Sequence, residues 1–234
     1  MLGAIAIAPS APVLVPELAG AAAAEVADLT AAVLAAAALL PSRWVAVGTG
    51  RADDVLGPDG PKSVGTFAGF GADLRVWLSP QARDRAQPPV ELPVCTLLAA
   101  WVRGQARPDA GVQVRVYRSD QGAGTALEQG RRLRAEIDRA PESIGVLVVA
   151  DGANTLTPAA PGGYHPGDAD AQLALDDALA NGDVAAVAQL PPQILGRVAF
   201  QVLAGLTEPG PRSAKELYRG APYGVGYFAG AWQP

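Results

Sequence analysis

The sequence predicts a single α/β domain over residues 1–234, with a mostly parallel central sheet and helices on both faces. Three observations carry that expectation. Short apolar, β-branched runs alternate with longer alanine- and leucine-rich runs of helical length, the pattern of repeated strand–helix–strand units. The run 144–150 is apolar at every position, which suits a strand covered on both faces. Glycine, proline, serine and aspartate cluster just after these runs, where the chain must turn.

In chain order, residues 2–8 form the first strand, stopped by Pro9-Ser10-Ala11-Pro12. Residues 17–40 read as one helix because alanine and leucine, the strongest helix formers, fill it. Residues 43–47 are a second strand running into Gly48-Thr49-Gly50. Residues 51–70, rich in Gly, Pro and Asp, read as a long excursion with little regular structure, and such loops are often functional. A third strand at 73–78, a helix at 93–104 and a strand of alternating valines at 112–117 come next. Ser119 to Gly124 leads into a helix at 125–139, and the buried strand follows. Three helical segments at 169–180, 184–189 and 196–205 precede a late strand at 223–232, where glycines interleave with aromatics. No repeat, linker or composition shift divides the chain.

Composition narrows the function classes. Half of the 234 residues are apolar, enough for a substantial core. A net charge of -5 leaves no basic field to attract phosphate backbones, which argues against nucleic acid as a partner. The single Cys95 excludes an intrachain disulfide and a multi-cysteine zinc site, and its apolar neighbours Val94, Leu97 and Leu98 suit a small buried hydrophobe. No Lys or Arg precedes Arg43, Pro9, Pro12 and Pro16 interrupt the early apolar stretch, and Glu25 and Asp28 are costly at membrane depth. A cytoplasmic protein without a membrane partner is the expectation.

A parallel sheet gathers the turns after successive strands at one edge, and ligands of open α/β sheets bind in the crevice there. That edge collects Ser10, Thr49, Asp120, Asp151 and Asn154. His165, the one histidine, follows a Pro-Gly-Gly turn and reads either as a ligand or general base, or as an idle loop residue. Asp151 either orients a ligand or caps its own turn. Asp53, Asp54, Asp120 and Asp151 together would make an oxygen-only site for Mg2+ or Mn2+. Gly122-Ala123-Gly124 before a helix resembles an anion cradle but lacks the P-loop lysine, and its ordinary role is helix entry. Tyr218, Tyr223, Tyr227, Phe228 and Trp232 read as core packing of the last strand, or as the lining of a pocket or a homo-oligomer interface.

The stretch Pro9-Ser10-Ala11-Pro12-Val13-Leu14-Val15-Pro16-Glu17 resembles the N-terminal Pro-His-Pro-Pro-Leu-Leu-x-Pro-Glu segment of LigB-like proteins. These are the catalytic subunits of class III extradiol ring-cleavage dioxygenases and their Memo-type relatives. Val45 to Gly50 is similar to the family segment ending in Ser-Pro-His, and Asp151 to Leu156 to its Asp-Leu-Ser-His-Arg-Leu. Pro161-Gly162-Gly163-Tyr164 and the helix through Asp176-Asp177 to Gly182-Asp183 also look like that family. The resemblance implies a LigB-like fold with Fe(II) held by two histidines and a carboxylate, and a further histidine as acid–base.

This chain has Ser10 where the first histidine ligand would stand, Gly48-Thr49-Gly50 around the second, and Asn154 at the acid–base position. The family's carboxylate ligand matches no single position, Glu208 and Glu216 being the late glutamates. A hydroxyl binds Fe(II) far more weakly than imidazole, and an amide exchanges no proton near neutral pH. The expectation is therefore a LigB-like domain without cofactor or ring-cleavage activity, a non-enzyme that retains a small-molecule pocket or an interaction surface. The alternatives are an enzyme working at the same crevice, with a carboxylate-bound divalent ion or no metal, and a structural homo-oligomer.

Overall fold

Alternation of side chains along the strands sets the layers of this molecule. The computed structural model describes residues 1–85 and 87–234. The first half contains β1 (Leu2–Ala8), α1 (Pro16–Ala19), α2 (Ala27–Ala37), β2 (Arg43–Gly50), β3 (Asp54–Leu56), β4 (Val64–Thr66), β5 (Arg75–Trp77), α3 (Pro80–Asp84) and α4 (Val94–Ala106). The second contains β6 (Gly111–Arg118), α5 (Ala123–Asp138), β7 (Ile144–Val149), α6 (Asp168–Asn181), α7 (Val184–Ala188), α8 (Arg197–Thr207), β8 (Ser213–Gly220) and β9 (Tyr227–Gln233). Among the described residues seven strands form one sheet in the order β3-β6-β2-β7-β1-β9-β8. The middle four are parallel, and β3, β9 and β8 extend them antiparallel at the two sides. The predicted α/β class is the one observed.

Ala4, Ala6 and Ala8 of β1, Trp44 and Ala46 of β2, and Leu147 and Val149 of β7 face a core shared with α2 and α4. Ile5 and Ile7, Val45 and Val47, and Val146 and Val148 face the other core, shared with α5, α6, α7 and α8. The connection from β1 to β2 passes over one face, and that from β6 to β7 returns over the other. Opposite directions on opposite faces give both crossovers the same hand, as parallel connections require. On the second face Gly130 of α5 and Gly205 of α8 let two backbones touch. A Cβ at Gly130 would lie 2.2 Å from the Val202 carbonyl, and one at Gly205 would lie 2.0 Å from that of Leu127.

Several local expectations need correction. The helix foreseen at 17–40 is broken: α1 stops at Gly20, whose φ of +54 no α-helix carries, and a 3-10 turn at Gly20–Ala24 intervenes before α2. Ala21 to Ala24 are exposed or half-exposed, so propensity there is not backed by burial, which supplies most helix stability in proteins. The 51–70 excursion is more regular than foreseen. Its β3 pairs with β6 at the sheet edge, and its β4 pairs with β5 in a separate two-stranded ribbon. The third predicted strand is thus β5, outside the main sheet. Besides β3 and β4, two further elements were not foreseen, α3 and β8. No helix among the described residues is long and apolar enough to cross a membrane.

Candidate functional site

The register of the parallel strands lines their carboxyl ends up side by side. Ala8 of β1 pairs with Val149 of β7, Val47 of β2 with Val148, and Thr49 with Tyr117 of β6. Ser10, Asp151, Thr49 and the turn after β6 therefore succeed one another along one edge. The chain leaves β1 toward the α2 face and leaves β7 toward the α6 face. Neighbouring strands whose exits diverge open a crevice between them. At that point the Ser10 N–H donates to Asp151 Oδ1 at 2.7 Å.

The loop carrying Asp151 is held from three sides. Gly196 N–H donates to the Asp151 carbonyl at 2.8 Å. Gly152 N–H donates to Gly226 O, and Gly226 N–H to Ala153 O, both at 2.8 Å. From α6, the buried Gln172 accepts the Ala153 N–H on Oε1 and donates from Nε2 to Asp176 Oδ1, again 2.8 Å each. A Cβ on Gly152 or Gly226 would lie 2.0 Å from Gln172 Oε1, so either substitution would push the Gln172 amide out of place. With these backbone groups held, the Asp151 side chain is placed at the end of β7.

That side chain is half-buried, and loss of water pushes its carboxyl up to about 6, against which the Ser10 N–H pulls weakly. The antiparallel register Ile7 to Gly230 brings Tyr227 of β9 to the same end of the sheet. Burial raises the Tyr227 hydroxyl well above its usual range, and the Asp151 charge adds to the rise. A carboxyl that exchanges its proton near neutral pH can serve as an acid or base toward a bound molecule. Asp176 is likewise raised to about 6 by burial, but its oxygen is tied to Gln172.

The other sequence candidates are distributed differently. Thr49 lies on the same edge and lines a cavity of about 550 Å3 with Arg51, Asp53 and Leu92, to which neither Ser10 nor Asp151 contributes. Asp120 is exposed and ion-paired with Arg118 at 2.6 Å, so it does not join Asp151. Asp53 accepts from the Arg118 N–H and from Gln121 Nε2, and Asp54 from Lys62 and the Val55 N–H. The four-aspartate cation site is therefore not assembled. Among the described residues no group of three or more His, Cys, Asp or Glu side chains is placed to hold a metal ion.

Asn154 is half-buried and its amide lies against Gly162, where a Cβ would sit 2.4 Å from Oδ1. His165 is exposed on the loop before α6, its backbone N–H bonded to Thr155 O and its carbonyl receiving Asp168 N–H. Cys95 is buried, its thiol raised to about 11 by desolvation, with Sγ 3.5 Å from the Thr49 carbonyl. Glu208 and Glu216 are held by Arg131 and Arg219. Gly122 is the residue from which α5 starts. Tyr227, Phe228 and Trp232 are core residues, while Tyr218 and Tyr223 pack at its border. Sequence reading missed Gln172 and Asp176. Their signal was a polar pair four residues apart on the helical stripe that includes Leu175 and Leu179.

No protein-family model matches the sequence, and no curated protein matches it. The fold is similar to that in the crystal structure of uncharacterized protein JW3007 from Escherichia coli K12. The TM-score is 0.56 at 12% sequence identity, over 99% of this chain and 100% of that one. At such identity the likeness establishes the fold.

Proposed function

We propose that this chain is a LigB-like protein that has given up the Fe(II) site and ring cleavage, and that it binds a small molecule in the crevice at Asp151. One observation carries the reading. At the position matching the first histidine ligand, Ser10 contributes a backbone N–H to Asp151 rather than a metal-binding side chain. The donor set supports it further: a serine, a threonine and an amide stand at the three histidine positions, and none is a good ligand for Fe(II) or an acid–base near pH 7. These residues do not fit the group the resemblance implies, so no step is routed through iron.

The test is anaerobic reconstitution with Fe(II), followed by iron analysis and oxygen uptake with catechols. The expected result is iron well below one per chain and no ring-opened product. Stoichiometric iron, with binding weakened by Asp151→Ala, would overturn the proposal. A second reading, a metal-independent enzyme, is favoured by the Asp151 carboxyl, whose position near 6 suits proton transfer. Its signature would be a rate that follows ionisation near pH 6 and that Asp151→Asn abolishes.

A further inference from the structure

Away from this crevice, the last turn of α4 packs against β5 and α3 around a cavity of about 400 Å3. Arg103 lines it and is only 4% exposed. Its Nε donates to Trp77 O at 3.0 Å, and Nη1 to Pro108 O at 2.8 Å and Ala110 O at 3.1 Å. Nη2 has no hydrogen-bond partner among the described residues, and no carboxylate pairs with this guanidinium there. Asp109 attracts it only from beyond ion-pair distance, burial outweighs that attraction, and three carbonyl dipoles meet only part of the demand.

The rest of the lining narrows what the cavity can hold. Trp77 and Trp101 are among its lining residues, and Arg83 lies over the Trp77 ring, 5.7 Å from its centroid. Arg75 stands at the same opening, exposed and without an ion pair among the described residues. The two acids on the rim, Glu17 and Asp84, are exposed, so the buried charge is positive. The volume suits a one-ring ligand.

We propose that this cavity binds a planar aromatic anion, an aryl carboxylate or aryl phosphate, with its acidic group on Arg103 and its ring against Trp77 and Trp101. Nε and Nη1 are taken by carbonyls, so Nη2 is the part of the guanidinium left to donate to either acid. The site shares no residue with the Asp151 crevice and does not depend on the reading given above.

Tryptophan emission reports on it directly, because Trp44 and Trp232 are sealed in the core. The intact chain is titrated with phenyl phosphate, benzoate, inorganic phosphate and benzyl alcohol. A saturable change is expected with phenyl phosphate or benzoate, the tighter one identifying the acid. Benzyl alcohol should bind at least tenfold more weakly, and inorganic phosphate should compete. Arg103→Lys keeps the charge but cannot both satisfy the three carbonyls and donate into the cavity, and should weaken binding about tenfold. If that variant does not fold, Arg75→Gln combined with Arg83→Gln alters only exposed groups and should also weaken binding about tenfold. No saturable signal from either anion, equal affinity for benzyl alcohol, or unchanged affinity in the variant that folds would overturn the proposal.

Discussion

Asp151 at the end of β7 and Arg103 in the last turn of α4 are both drawn out of water, and neither has an opposite charge in hydrogen-bond reach among the described residues. The fold treats them differently. Asp151 has one N–H donor and answers desolvation by holding its proton up to about pH 6. Arg103 has three carbonyl acceptors, and although burial lowers its affinity for the proton, a guanidinium stays charged. A group that can discharge is suited to proton transfer, whereas one that cannot is suited to permanent recognition. The difference lies in side-chain chemistry as much as in surroundings.

The strongest way to break the comparison is to remove the charge that cannot switch. Arg103→Met leaves the carbonyls of Trp77, Pro108 and Ala110 short of donors and should cost about 3 kcal/mol in urea unfolding. A loss below about 1 kcal/mol would mean that water replaces the guanidinium freely. Next comes Gln172→Ala, which strips the Ala153 N–H of its acceptor and should cost about 2 kcal/mol by the same measurement.

Asp151→Asn sharpens the contrast through pH. The folded carboxyl sits near 6 and the unfolded one near 3.8, so the folded state binds the proton more tightly. Its contribution is fully present below pH 3.8 and is lost as pH rises through 6. Relative to the natural chain, Asp151→Asn should therefore gain about 2 kcal/mol between pH 4 and pH 7. Asp176→Asn is the control for the second carboxyl titrating in that window. A flat difference between the two chains would remove Asp151 from the proton-exchange role. The smallest effect belongs to Arg83→Gln, whose exposed stacking on Trp77 should change stability by no more than about 0.5 kcal/mol in thermal unfolding.

The sequence made some of this legible and hid the rest for physical reasons. Unbroken apolar character at Ile144 to Val149 announced a doubly covered strand, and turn residues after parallel strands announced the edge that holds Ser10, Thr49 and Asp151. Loop aspartates could not be sorted in advance. Asp53, Asp54 and Asp120 are claimed by nearby donors that only the folded path of residues 51–62 and 118–121 brings within reach. Arg103 was invisible because it sits among helix residues and its three acceptors come from Trp77, Pro108 and Ala110. Strand β8 was missed because its charged residues, Lys215, Glu216 and Arg219, give no simple apolar alternation.

Those charged residues have a use at the border of the sheet. Strand β9, rich in aromatics, is hydrogen-bonded on one side to β1 and on the other to β8, so its backbone is not open to another strand. The outermost positions fall to β8, studded with ionic side chains, and to β3, three residues long. A ladder needs a long, neutral template to grow, and both rims withhold one. Crowded solutions of this protein should therefore resist strand-by-strand polymerisation.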